Sequence, residues 1–189
     1  MQIRIYLPVG EYAGVHIITD TGDIEMPAYL TAQDVTLYSD TGDVYSEAQA
    51  KYVSAETNTG HIVVCACNPE VVTAKSDTGG ILLATMEGVK RCAAETATGG
   101  IEVHNVACET AECESDTGKV KLWLVNAEND LQISADTGKV EIGNSTAGSM
   151  KIETDTGSIE IQESEAGLAD IESDTGSIRL PAAWKDRNY

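Results

Sequence analysis

Nine Thr-Gly pairs run along the chain, and their spacing limits what it can fold into more than any other feature. The glycines are Gly22, Gly42, Gly60, Gly79, Gly99, Gly118, Gly138, Gly157 and Gly176, and they fall 20, 18, 19, 20, 19, 20, 19 and 19 residues apart. A period near 19 means that one supersecondary unit is stacked many times. Asp precedes seven of the pairs, Asn58 one and Ala97 one.

Seven and five residues before each glycine stand apolar or small side chains, such as Val35 and Leu37, or Met150 and Ile152. Two and four residues after it stand others, such as Ile24 and Met26, or Ile159 and Ile161. Alternation with period two, twice per repeat, predicts two half-buried strands. The glycine between them suits a corner, because it tolerates positive φ. The remaining six to eight residues of each repeat predict a third, less regular side. The fold class expected is all-β: a single-stranded parallel β-solenoid (β-helix) of about nine rungs. Right-handed winding is expected by analogy with parallel crossovers. One domain covers 1–189, with rungs over about 15–180 and residues 181–189 as a C-terminal tail or cap. Nine rungs at ~4.8 Å make a rod of about 40 Å.

Parity extends the prediction to the corner. The Thr before each glycine shares the inward parity of the Ser or Thr two residues earlier, so a threonine column is expected inside each corner. The Asp has the opposite parity and points outward. Neighbouring carboxylates one rung apart repel by about 0.9 kcal/mol at the dielectric of water. A backbone N–H donated to each contributes roughly 1.5–3 kcal/mol, so capping of the Thr-Gly corner accounts for the column. A Ca²⁺ ladder along Asp116, Asp136, Asp155 and Asp174 is the sharper alternative, but Ala97 interrupts the column. No metal and no cofactor are therefore expected.

Asp-Thr-Gly is also the triplet of aspartic proteases, which pair two carboxylates around one proton. Seven copies at a fixed period are a repeat, not a pair. His61, Cys65 and Cys67 share one rung, but His16 and His104 lie elsewhere in the repeat, and Cys92 and Cys113 fall at inward positions, where Cys acts as a small apolar residue. There is no Ser-His-Asp set and no phosphate loop, so no catalytic residue is assigned and the chain is not expected to be an enzyme.

Charge narrows the partners. Twelve Lys and Arg stand against 31 Asp and Glu, a net charge of -19. That disfavours nucleic acid and anionic lipid surfaces, and leaves cationic partners open. No apolar run approaches the ~20 residues that cross a bilayer, so no direct membrane insertion is expected. No signal-peptide pattern is present. Strand-like alternation in Ile3-Arg4-Ile5-Tyr6-Leu7-Pro8 begins almost at Met1, and an anchor or signal upstream is the expectation. Five irregularly spaced cysteines are not a disulfide framework and leave a cytoplasmic setting open.

Two asymmetries break the repeat. Six of seven tyrosines lie in the first 52 residues, and the first 50 hold one basic residue against eight acidic ones. The outward position three after the glycine is charged in most rungs but reads Tyr45, Val63, Leu82 in three consecutive ones. Tyr38, Tyr45, Val63 and Leu82 are the candidate contact surface. A protein or polysaccharide partner, self-association there or through the solenoid ends, and cover by the N-terminal segment are the competing occupants.

The rung [Ser/Thr]-Asp-Thr-Gly-x-apolar-x-apolar resembles a bacterial β-strand repeat family labelled as adhesins, domain of unknown function 4097. The resemblance runs from about Ile3 to Leu180, including the opening strand. It implies a β-solenoid at the cell envelope, often beside membrane-anchored or regulatory segments, and transfers no catalytic residue. The function expected is a non-enzymatic, envelope-associated binding or structural module. The alternatives are a polysaccharide-active β-helix enzyme with outward acid and base carboxylates, and an acidic sensor of cationic peptides or Ca²⁺-binding repeat.

Overall fold

A computed structural model describes residues 7–8 and 10–184 of the chain. The expected opening strand at Ile3 to Tyr6 and the tail over 185–189 lie outside the described residues. Within them, fifteen strands join in one sheet, from Glu11–Thr21 to Ile178–Arg179. Every pairing is parallel, and each rung pairs with the one before and after it. This is the β-solenoid of about nine rungs that the period predicts.

Each rung has three sides. The first runs over the five residues after the glycine, as in Ile62–Cys65 and Ile159–Gln162. The third ends at the threonine, as in Val71–Thr78. In the middle of the rod the strands run on through the corners, as in Ile81–Thr98, Ile101–Thr117 and Val120–Thr137. A second corner stands six residues after the glycine. It is left-handed at Ala66, Thr85, Asn105, Leu124, Asn144 and Glu163, with φ between 45° and 57°. Only asparagine among these is at home in that conformation.

The uneven period has a physical cause on the short second side. Two of the 20-residue repeats carry their extra residue there as a bulge, between Met86 and Val89 and between Ala127 and Asp130. The inward columns above and below therefore stay in register.

Those columns form one continuous core. Leu37, Ile62, Leu83, Leu122, Leu131 and Ile152 are fully buried. The narrow interior is filled by branched aliphatic side chains and closed at the end by Trp184, 5% exposed. Trp184 donates its indole N–H to the Ser164 carbonyl at 3.0 Å, from a single 3-10 turn at Ala182–Trp184. The C-terminal segment thus seats Trp184 on the last rungs, where a cap was expected.

Candidate functional site

The Thr-Gly corner is built differently from the parity prediction. The inward hydroxyl belongs to the Ser or Thr three residues before the glycine. Ser39, Thr57, Ser76 and Thr96 are buried and donate to the carbonyls of Gly22, Gly42, Gly60 and Gly79 at 3.0–3.1 Å. The column is broken at Ala135, which carries no hydroxyl, and at Thr154, a buried hydroxyl without a partner. The Thr next to the glycine, expected inside, is exposed in all nine rungs. The reason is a break in alternation: two successive residues face outward before the chain turns at the glycine. The nine threonines still register as one outer column from Thr21 to Thr175.

The glycine itself is required by stacking. An ideal Cβ on any of the eight later glycines would lie 1.7–2.4 Å from the carbonyl oxygen of the glycine one rung below. Eight of the nine also have φ between 143° and 157°.

The aspartates do not cap the corner as expected. Among the described residues no carboxylate of the column before Thr accepts a backbone N–H. Asp40 instead accepts from the Asn58 amide and the Tyr38 hydroxyl. Asn58, one of the two breaks in the column, thus replaces a repulsive neighbour with a donor. Capping falls to the residue after the glycine. Asp23 accepts the N–H of Asp43 at 2.9 Å, Asp43 that of His61 at 2.7 Å, and His61 Nδ1 that of Gly80 at 2.9 Å. Asp116, Asp136, Asp155 and Asp174 stand exposed in one outward column. Among the described residues no three His, Cys, Asp or Glu groups are placed to hold a metal ion. His61, Cys65 and Cys67 diverge: His61 sits at the corner, Cys65 faces outward, and Cys67 is buried. Burial pushes the Cys67 thiol up to about 11 and that of Cys113 up to about 12.

The first side carries the irregular columns. Three residues after the glycine, Glu25, Tyr45, Val63, Leu82, Glu102, Lys121, Glu141, Glu160 and Arg179 register in a line. Two residues further on, Cys65, Ala84, His104, Trp123, Gly143 and Gln162 form a parallel column. Tyr45, Val63 and Leu82 therefore do form one stripe, with Cys65 and Ala84 beside it. Tyr38 is not part of it and lies on the third side. Tyr45 donates to Glu47 at 2.7 Å, and that bond, with a weaker one to Cys65, raises its hydroxyl well above the ordinary phenol range.

The sequence pattern overlooks Trp123. It is 36% exposed, as is Tyr45. Its ring lies over Gly143, where a Cβ would come within 2.1 Å of a ring carbon. The lone glycine in that column is the signal that could have found it.

Beyond the stripe the same face is charged and paired. Lys121 meets Glu102 at 3.0 Å, Lys139 meets Glu141 and Glu160 at 2.8 and 2.6 Å, and Arg179 meets Glu160 at 3.2 Å. The Lys139 bond, then Gln162, pulls the Glu160 carboxyl down to about 2. All nine described Lys and Arg side chains sit within ion-pair distance of a glutamate. The third side bears a shallow groove of about 450 Å³ along Ser54, Thr73 and Ala93, walled by Glu56, Lys75 and Glu95.

A family model described as Toastrack DUF4097 matches residues 1–129 and again 86–186. The chain belongs to that family, a domain of unknown function. The two overlapping matches to Toastrack reflect the repeat, whose middle rungs fit the pattern in either placement. No curated protein and no solved structure matches the chain. No helix among the described residues is long and apolar enough to cross a membrane.

Proposed function

We propose that this Toastrack chain is a non-enzymatic, envelope-associated binding and structural module. The solenoid acts as a rigid spacer, and its first side is the contact surface. The observation that carries this reading is the Tyr45–Val63–Leu82 stripe. It is the one place where the outward column three after the glycine leaves its charges for three consecutive rungs. Apolar side chains gathered on an otherwise acidic surface favour a contact. The rungs are uniform, and carboxylates are spread along the rod instead of converging as an acid and base. The envelope part of the proposal rests on the family resemblance.

Fractionation of cells that express the tagged full-length protein tests it. Recovery with the envelope is expected, and Leu82→Glu should reduce it while leaving the melting temperature unchanged. Recovery wholly in the cytosolic fraction would overturn the proposal. The groove beside Glu56, Glu95 and Glu112 supports a second reading, a polysaccharide-active enzyme. Release of new chain ends from a polysaccharide incubated with the protein would favour that reading over the first.

A further inference from the structure

The first side is charged unevenly from one end to the other. Rungs one and two present Asp23, Glu25, Asp43 and Glu47 and no cation there. Rungs five to nine present Lys119, Lys121, Lys139 and Arg179 against Glu102, Glu141 and Glu160. Between these ends lie Val63, Cys65, Leu82 and Ala84, bounded by Tyr45 and Trp123. Four of the nine described cations therefore share one end of one face, in a chain whose net charge is -19.

Such a face complements itself better in one orientation than in the other. A second copy laid parallel puts acid on acid and base on base. An antiparallel copy, related by a two-fold axis that runs along the strand direction at rung four, reverses the order of rungs and keeps each column opposite itself. Rung one then faces rung seven, rung two faces six, and rung three faces five. Asp23 comes opposite Lys139 of the second copy, and Asp43 opposite Lys119. Tyr45 comes opposite Lys121, whose ammonium suits an aromatic face; against these stand Glu25 opposite Glu141 and Val63 opposite Glu102, which weaken the contact. Leu82 and Ala84 meet their own counterparts on the axis, beside Gly80, which has no side chain to obstruct the approach. An isologous contact of this kind closes at two copies.

We infer that the partner of this face is a second copy of the chain, bound antiparallel through rungs one to seven. The inference rests on reading the first side as a contact surface. Seven rungs at ~4.8 Å and five residues at ~3.3 Å give roughly 1,100 Å² over the two copies. That is the low end for specific interfaces, and it sets a weak, reversible dimer with a Kd on the order of tens of micromolar.

Sedimentation equilibrium of the full chain, across concentration and salt, tests this. Reversible assembly to twice the 20.0 kDa chain mass is expected, weakened at high salt. Leu82→Glu places two carboxylates at the axis and should weaken assembly by at least about thirtyfold, with an unchanged melting curve. Asp43→Lys alone and Lys119→Asp alone should each do likewise, and the two together should restore assembly. A chain that stays monomeric at several hundred micromolar overturns the inference. So does assembly that survives Leu82→Glu, or a double exchange that restores nothing. A monomeric chain whose envelope recovery still falls with Leu82→Glu sinks the dimer and leaves the contact face standing. If Leu82→Glu alters neither assembly nor recovery, both are lost.

Discussion

At the scale of single residues, the corner glycine answers to its neighbour in the stack more than to its own φ. Gly118 shows this, because a Cβ there would lie 1.7 Å from the Gly99 oxygen. Gly118→Ala should therefore cost at least about 3 kcal/mol in urea unfolding. Gly10→Ala, with nothing within 4 Å of the new methyl, is the matched control and should cost almost nothing. The second corner makes the opposite prediction. Leu124 holds φ at 57° with its side chain 47% exposed, between Asn105 and Asn144 in the same column. Leu124→Asn should raise stability by about 1 kcal/mol, since a bulky residue is strained there and little burial is lost. Both corners were only half legible in the chain. The glycine was visible as a turn, but the contact that demands it exists only between rungs. The left-handed corner carries five residue types, and no one of them marks the position.

At the scale of strands and sides, alternation predicted the inward columns well, because each strand keeps period two once it has left a corner. It failed at Thr21 and its eight counterparts, where two successive residues face outward before the corner, while the positions two and four after the glycine stand inward as predicted. The hydroxyl duty expected of those threonines fell to Ser39, Ser76 and their column, which the pattern had already placed inward. Tyr38 and Tyr45 were grouped as neighbours in a tyrosine-rich stretch, yet the corner at Gly42 puts them on different sides. Charge along the first side gives this level its own prediction. The folded Glu160 carboxyl lies near 2 against an ordinary 4.5. A depressed carboxylate stabilises the fold fully above its unfolded value. Its share should therefore be lost as pH falls from about 4.5 through about 2. Glu160→Gln should make the fall in melting temperature over that window slightly shallower, the lowered Glu70 and Glu141 carboxyls keeping the rest of the slope. The pairs on this face are exposed, so none individually should add much at neutral pH.

At the scale of the whole molecule, the difficulty of a solenoid is its ends. Among the described residues, strand Glu165–Thr175 pairs along one edge only, with Thr146–Thr156. Glu165, Asp170, Glu172 and Asp174 line it, and charge on an open edge discourages further strand addition. Trp184 covers the core beside it. Trp184→Ala should cost about 3 kcal/mol, and light scattering should report assemblies larger than a dimer as the core end is exposed. The repeat announced the stack of rungs at once, and its breakdown after Leu180 marked where a cap should begin, but not how Trp184 would seat, because that residue has no counterpart in any other rung. The glycine column carries a last consequence, for how a chain of this kind can change length. A deletion or duplication of one full rung, corner to corner, shifts the rod by one step of ~4.8 Å and leaves every face in phase. Any other change must be absorbed as a bulge on the second side or it scrambles the columns. Length here is counted in whole units, so the gene for such a protein can lengthen or shorten a spacer by recombination between its own repeats without redesigning a single surface.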